Sequence, residues 1–187
     1  QTCALPISAW VLSQQVRMPD LPAEDVPGYL QLEAEKGFPC DPEQLLILTS
    51  AQTAGGASFV TQLAVRREQL DHLSAVLKAA GLRPLGYTLG LSALPGVIAS
   101  GDEGKITLSL GRKEATLLVS AGGGIATYRT FDASIKSEAG ENILNGRAIG
   151  RELRITFEQI PVELRRQLRT LTLTGEASAV RQVESAL

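Results

Sequence analysis

Apolar residues along this chain recur at two periods, and the switches between those periods mark out its elements. Residues 9–18 alternate loosely around Trp10, Val11, Leu12 and Val16, which predicts a strand ending at Met18-Pro19. From Ala23 to Lys36 the positions Val26, Leu30 and Ala34 fall at i, i+4 and i+8. A helix is predicted there, with Pro27 tolerated in its first turn and Gly37-Phe38-Pro39 ending it. Gln44 to Ala51 and Ser58 to Val65 are apolar runs on either side of Gly55-Gly56, the pattern of a β-hairpin. Glu68 to Ala80 then sets Leu70, Leu73, Leu77 and Ala80 on one helical stripe. Gly81 stands just past its end and Pro84 bars continuation.

Leu85 to Leu89 reads as a short strand and Leu91 to Ile98 as a partly helical connector. The polar, glycine-bearing stretch Ser100 to Gly104 predicts a domain boundary. Beyond it, Ile106 to Leu110, Ala115 to Ser120 and Ile125 to Phe131 are three short strands joined by tight turns, an antiparallel meander. Between Ser137 and Gln159 the residues Ile149, Leu153 and Phe157 recur every four positions and predict a long helix. Pro161 restarts a shorter one carrying Val162, Leu164 and Leu168. Arg169 to Thr174 is a strand ending in Gly175, and Ala177 to Leu187 a closing helix.

At 187 residues with 44% apolar content, the chain can bury one large core or two small ones. A net charge of -2 and 4% aromatics supply neither a basic field nor a base-stacking platform, so nucleic acid is excluded as a partner. The longest apolar stretch, Leu89 to Ala99, is interrupted by Gly90, Pro95 and Gly96. It falls well short of the roughly 20 residues of a bilayer span, so no direct membrane span is expected. Cys3, Cys40 and the lone His72 form no metal-ligand spacing, which fits a reducing, cytoplasmic setting. Residues 1–8, opening with Gln1 to Ile7 and no Met, read as a non-native leader on a fragment.

Candidate chemistry gathers at two turns. Lys105 to Val119 is a strand, a turn at Ser109-Leu110-Gly111 and a second strand, a shape whose backbone N–H groups can cradle a phosphate. Hydrolysis would also need a carboxylate to hold metal or water, yet the nearest acid, Glu114, lies beyond the turn. Thr174-Gly175-Glu176-Ala177-Ser178 opens a helix and could accept an anion at its N-terminus. Each has a plainer reading: an ordinary hairpin turn for the first, and a strand-to-helix turn capped by Glu176 or Ser178 for the second. His72 reads as a surface residue, Glu33, Glu35, Glu152 and Glu158 as solvated helix faces, and Cys40 as inert. Arg165, Arg166 and Arg169 form a short basic face, open to anionic lipid or an acidic partner but more simply a solubility feature.

The order of elements carries a resemblance. Arg17-Met18-Pro19-Asp20-Leu21-Pro22 is followed by Leu32-Glu33-Ala34-Glu35-Lys36 with Phe38-Pro39. Ala64-Val65-Arg66-Arg67 and Leu77-Lys78-Ala79-Ala80-Gly81-Leu82-Arg83-Pro84 come next. In that order these segments resemble the PilM family, actin-like ATPase proteins of the type IV pilus assembly platform. The resemblance implies an α/β, actin-like (ribonuclease H-like) fragment with mixed sheets. Residues 9–99 would hold the end of the first subdomain plus an inserted small α+β domain, and 105–187 a truncated second half. The family's second phosphate loop follows a strand ending Asp-Ile-Gly, and Ser109-Leu110-Gly111 stands there without the acid. Thr116 lies one position late for the family's hydroxyl, and the adenosine-contacting Thr-Gly-Gly-Gly is here Thr174-Gly175-Glu176-Ala177.

Ser109, Gly111, Thr116, Gly175, Glu176 and Ser178 are therefore expected to be a vestigial nucleotide site. No cofactor is assigned to the chain itself, and ATP with magnesium is implied only for a full-length protein. Ala133 is expected to lead almost directly into the long helix, without the subdomain that roofs the family's cleft. An actin-like arrangement is further expected to set Ser109 to Gly111 facing Gly175 to Ser178 across a cleft. The implied protein is a pilus assembly platform at the inner membrane, cytoplasmic and peripheral. Its implied partners are the cytoplasmic tail of a PilN-like membrane protein and other platform components. Two alternatives stay open: an active ATPase whose acids lie upstream, and the cytoplasmic domain of a GspL-like type II secretion protein.

Overall fold

The structure, a computed structural model, describes residues 2–4, 8–93, 96, 98, 103–111, 114–132, 134–136 and 142–185, with backbone alone for 2–4, 8, 134–136 and 142–144. Strand β1 (Thr2–Ala4) precedes a 3-10 turn at Ser8–Trp10, and β2 spans Leu12–Met18. The strand expected from residue 9 thus starts three residues late, with Trp10 in the turn. Helix α1 runs Val26–Gly37 rather than from Ala23. Pro27 sets that limit: it has no N–H to bond back to Ala23, so it fits only within the first turn. The hairpin is formed by β3 (Leu45–Ala54) and β4 (Ala57–Arg66), with Ala54 opposite Ala57 across Gly55-Gly56.

β2, β4 and β3 make an antiparallel sheet in that order. One face carries α1, seated by Ala34, Phe38, Leu45 and Ala64. The Gln14 and Gln62 amides donate to the helix carbonyls of Glu33 (3.0 Å) and Leu30 (2.9 Å). α2 (Arg67–Ala79) follows β4 directly and stops as its sequence requires. Gly81 is left-handed at φ +74°, its amide bonds to the Lys78 carbonyl, and the Leu82 amide bonds to Leu77. That is a Schellman closure. β5 (Pro84–Tyr87) then pairs in parallel with β1.

The second sheet begins at β6 (Gly104–Leu110) and continues through β7 (Glu114–Ala121) and β8 (Gly124–Asp132) as the expected meander. The long helix does not start near residue 137. A small antiparallel pair, β9 (Ser134–Lys136) and β10 (Asn142–Leu144), stands between β8 and the helix; Ala133 lies outside the described residues. α3 is Gly146–Gln159, capped by Asn145, whose side-chain oxygen accepts from the Ala148 amide at 3.2 Å. The apolar spacing at Ile149, Leu153 and Phe157 marked the helix's face, while its start was set by that cap. Residues 137–141 of the expected helix lie outside the described residues. α4 (Val162–Arg165), β11 (Leu168–Gly175) and α5 (Ala177–Glu184) complete the chain, with 186–187 of the last predicted helix also outside.

β11 returns parallel to β6, giving the mixed order β11-β6-β7-β8. One face of this sheet buries Leu108, Leu117 and Val119 against Ile149 and Leu153 of α3 and Val183 of α5, together with Ala54 and Phe59 from the first hairpin. A second cluster joins Leu63, Val65 and Leu70 of the first half to Leu118, Ile125 and Tyr128 of the second. Residues on both sides of the predicted junction at 100–104 therefore share these two cores; 100–102 lie outside the described residues.

Candidate functional site

The two turns singled out by sequence lie at one edge of the second sheet, where β6 and β11 end side by side. Thr174 stands opposite Ser109 and Gly175 opposite Leu110. They are neighbours on adjacent parallel strands and do not face each other across a cleft, because the parallel register of β11 with β6 brings both strand ends out together. Ser109 is also paired to Thr116, and Thr116 to Thr130, so Thr174, Ser109, Thr116 and Thr130 form one row across all four strands. Glu176 and Ser178 follow at the exposed start of α5. The six predicted residues are thus brought to one end of one sheet.

Several of their polar groups already have partners within the protein. The Gly111 amide donates to the Glu114 carbonyl at 2.9 Å, so it is already committed within the hairpin. The Thr116 hydroxyl is buried and shares a 3.2 Å hydrogen bond with Thr130. Gly175 is at φ +145°, and a Cβ there would stand 2.6 Å from the Leu110 carbonyl oxygen, so close strand packing itself requires this glycine. Glu176 has a side chain that does not cap α5. Among the described residues here, β6 carries no carboxylate and the Gly111 N–H is turned into the hairpin; residues 112–113 at the tip of the turn lie outside the described residues.

A second candidate lies in the first half. An apolar cavity of about 120 Å³ opens between the inner face of the first sheet, α2 and the segment after β5. Leu46, Leu48, Leu63, Leu70, Tyr87 and Leu89 are among its walls. Leu48 is 53% exposed at its mouth, on edge strand β3, and Leu85 and Val76 add further exposed apolar surface on β5 and α2. The Tyr87 hydroxyl is fixed by Ser74 and by donation to the Leu70 carbonyl at 3.3 Å, which leaves its ring as apolar wall. A cavity of this kind accepts an aliphatic side chain, and the neighbouring strand edge can pair with an extended backbone.

Between β2, β8 and the end of α3 lies a polar cleft of about 420 Å³. Arg129 crosses it, donating to Thr156 Oγ1 (3.0 Å) and Gln159 Oε1 (3.3 Å) and pairing with Glu152 at 3.5 Å. Glu152, expected on a solvated face, has a side chain only 16% exposed, because it turns in toward Arg129. His72 is exposed and Cys40 is a half-buried free thiol. Arg165 is used locally, donating to the Phe157 carbonyl at 3.1 Å.

Sequence reasoning placed a tight turn between β7 and β8 but missed that Gly122-Gly123-Gly124 docks on β3: the Thr53 amide donates to the Gly122 carbonyl at 3.0 Å. The signal was there, three consecutive glycines where a two-residue hairpin needs at most two.

No protein-family model matches the chain, and no curated protein matches its sequence. The second sheet, with a three-stranded meander and a fourth strand parallel to the first, makes this a mixed α/β fold. Among solved structures, a chain of the PilM–PilN type IV pilus biogenesis complex aligns with 94% of this chain at a TM-score of 0.65 and 19% identity. The cytoplasmic domain of EpsL, an inner membrane component of the type II secretion system of Vibrio cholerae, aligns with 67% at 0.50 and 16% identity. A Bacteroides thetaiotaomicron protein of unknown function with an actin-like ATPase fold aligns with 92% at 0.43 and 13% identity. The alignments span 62% of the pilus chain and 48% of the EpsL chain. The chain thus shares its fold with a chain of the PilM–PilN complex, in line with the resemblance to the PilM family. Among the described residues, no helix is long and apolar enough to cross a membrane.

Proposed function

We propose that this chain is part of a type IV pilus assembly platform protein, cytoplasmic and peripheral to the inner membrane, whose work is binding and whose nucleotide hydrolysis has been lost. Its partner is the cytoplasmic tail of a PilN-like membrane protein, with other platform components assembling around the pair. The observation that carries this reading is the likeness of fold over 94% of the chain to a chain of the PilM–PilN complex. The apolar cavity beside the β3 edge supports it, since an extended tail needs both a pocket for a side chain and a strand edge. The committed amide of Gly111 and the absence of an acid on β6 support loss of hydrolysis.

Titration calorimetry of the chain with the cytoplasmic tail peptide of the PilN-like protein from the same genome tests the binding. Leu48→Asp should abolish the heat of binding at a stability cost of about 1 kcal/mol, because Leu48 is half exposed and aspartate is disfavoured in a strand, so the chain stays folded. Equal binding by both forms would remove the cavity from the proposal, and no binding by either would sink the partner assignment. Magnesium-dependent ATP turnover by the full-length protein would overturn the loss of hydrolysis.

A second reading, the cytoplasmic part of a type II secretion platform, is favoured by the EpsL likeness over 67% of the chain. A membrane-crossing segment followed by a periplasmic domain downstream in the gene would select it.

A further inference from the structure

Two buried polar residues, Gln52 and Thr61, sit where the first sheet meets the second, at 2% and 0% exposure. Burial of that kind is unfavourable unless each polar group finds a partner. Their partner is backbone. β8 is the edge of the second sheet, with β7 on one side only. Its outward groups meet side chains from the face of the first sheet instead of another strand. Ser50 Oγ accepts from the Ile125 amide at 2.8 Å, and Gln52 Nε2 donates to the Ile125 carbonyl at 2.6 Å. Thr61 Oγ1 donates to the Ala126 carbonyl at 3.0 Å, and Ser13 Oγ to Tyr128 at 2.8 Å.

These four residues come from all three strands of the first sheet, so the whole sheet grips one edge. The approach is backbone-close: a Cβ on Gly124 would fall 2.3 Å from the Ala51 carbonyl oxygen.

We infer that this clamp is a conformational device that locks the two sheets into one rigid body. The apolar cavity in the first half and the strand-end turns in the second keep a fixed spacing whether or not a partner is bound. Domains joined by a small polar contact move relative to one another by default. Here the contact is a hydrogen-bonded strand edge flanked by two shared cores, so the junction is not a hinge. Gln52 is the positioning residue, because its amide bonds to β8 and to the Ser50 carbonyl at 2.6 Å, tying the β3 backbone to the edge it grips.

Hydrogen exchange on the 187-residue chain tests this, with amides of 45–66 and 124–132 followed separately. In the unsubstituted chain the slowest-exchanging amides of the two segments should share one opening free energy, that of global opening. Gln52→Leu leaves the Ile125 carbonyl without its donor and should speed exchange in both segments together by about tenfold or more. Thr61→Val, nearly isosteric, should do the same to a smaller extent, and it decides the matter if Gln52→Leu does not fold. Separate opening free energies for the slowest amides of the two segments in the unsubstituted chain, or substitutions that speed 45–66 and leave 124–132 unchanged, would overturn the inference.

Discussion

Gly122 and Gly123 allow the docking of the β7–β8 turn to be measured against an internal control. Both are left-handed, at φ +60° and +83°. Alanine at either position bears the strain of that conformation, about 1 kcal/mol. At Gly123 nothing lies within 4 Å of an added Cβ, so strain is the whole effect. At Gly122 the Cβ would come within 2.8 Å of the Thr53 carbonyl oxygen, 2.9 Å of the Thr53 amide nitrogen and 2.9 Å of Leu164 Cδ2. The turn must then back away from β3. That stretches the Thr53-to-Gly122 hydrogen bond, about 1 kcal/mol net, and loosens the packing of Leu164, which is fully buried. The expected loss is ~1 kcal/mol for Gly123→Ala and ~3 kcal/mol for Gly122→Ala. Urea unfolding followed by the fluorescence of the single tryptophan, Trp10, reads both. In a thermal melt the difference should appear as roughly 4–8 °C. Equal losses from the two substitutions would refute the argument that the turn is held by its contact with β3.

Two further outcomes follow from charged pairs. Arg129→Met should cost about 1 kcal/mol, since the pair with Glu152 is only partly shielded, at 32% and 16% exposure. A thermal double-mutant cycle with Glu152→Gln should return a coupling of roughly 0.5–1 kcal/mol, and zero coupling would dismiss the pair. The hydrogen bond from Lys36 to the Glu33 carboxylate, reinforced by its charge, raises the Lys36 pKa above 10.5. Below that value the ammonium is charged in folded and unfolded chains alike, so the pair's contribution is whole; it fades as pH climbs through the folded pKa. In Glu33→Gln the Lys36 titration, followed by NMR, should fall back toward 10.5.

What could be read from sequence divides by the range of the interaction responsible. The stripe Leu70, Leu73, Leu77 with Gly81 after it located α2 and its closure, because period and cap are both local. The three strands of the meander and the hairpin across Gly55-Gly56 were legible for the same reason. The region after Phe131 was not. Extending the Ile149–Leu153–Phe157 pattern back toward Ser137 overlooked that Asn145 caps the helix, with β10 at Asn142–Leu144 just before it. Gln52 and Thr61 look like surface residues of alternating strands, and nothing local tells that their partners are carbonyls some 65–73 residues on. At the strand ends, the residue types were visible and the Gly111-to-Glu114 bond was not. That bond decides whether the turn offers a free amide.

The parallel pairing of β11 with β6 also bears on how this half of the molecule assembles. Leu171 lies opposite Ile106, 65 residues apart in sequence, whereas β7 and β8 close across the turn between Ala121 and Gly124. Closing a long loop costs entropy before any contact repays it, so local hairpins form early and distant parallel ladders late. The meander is therefore a folding template. On loop-closure grounds β11 is expected to pair with β6 after the meander has formed, so the row joining Ser109 to Thr174 is expected to close late.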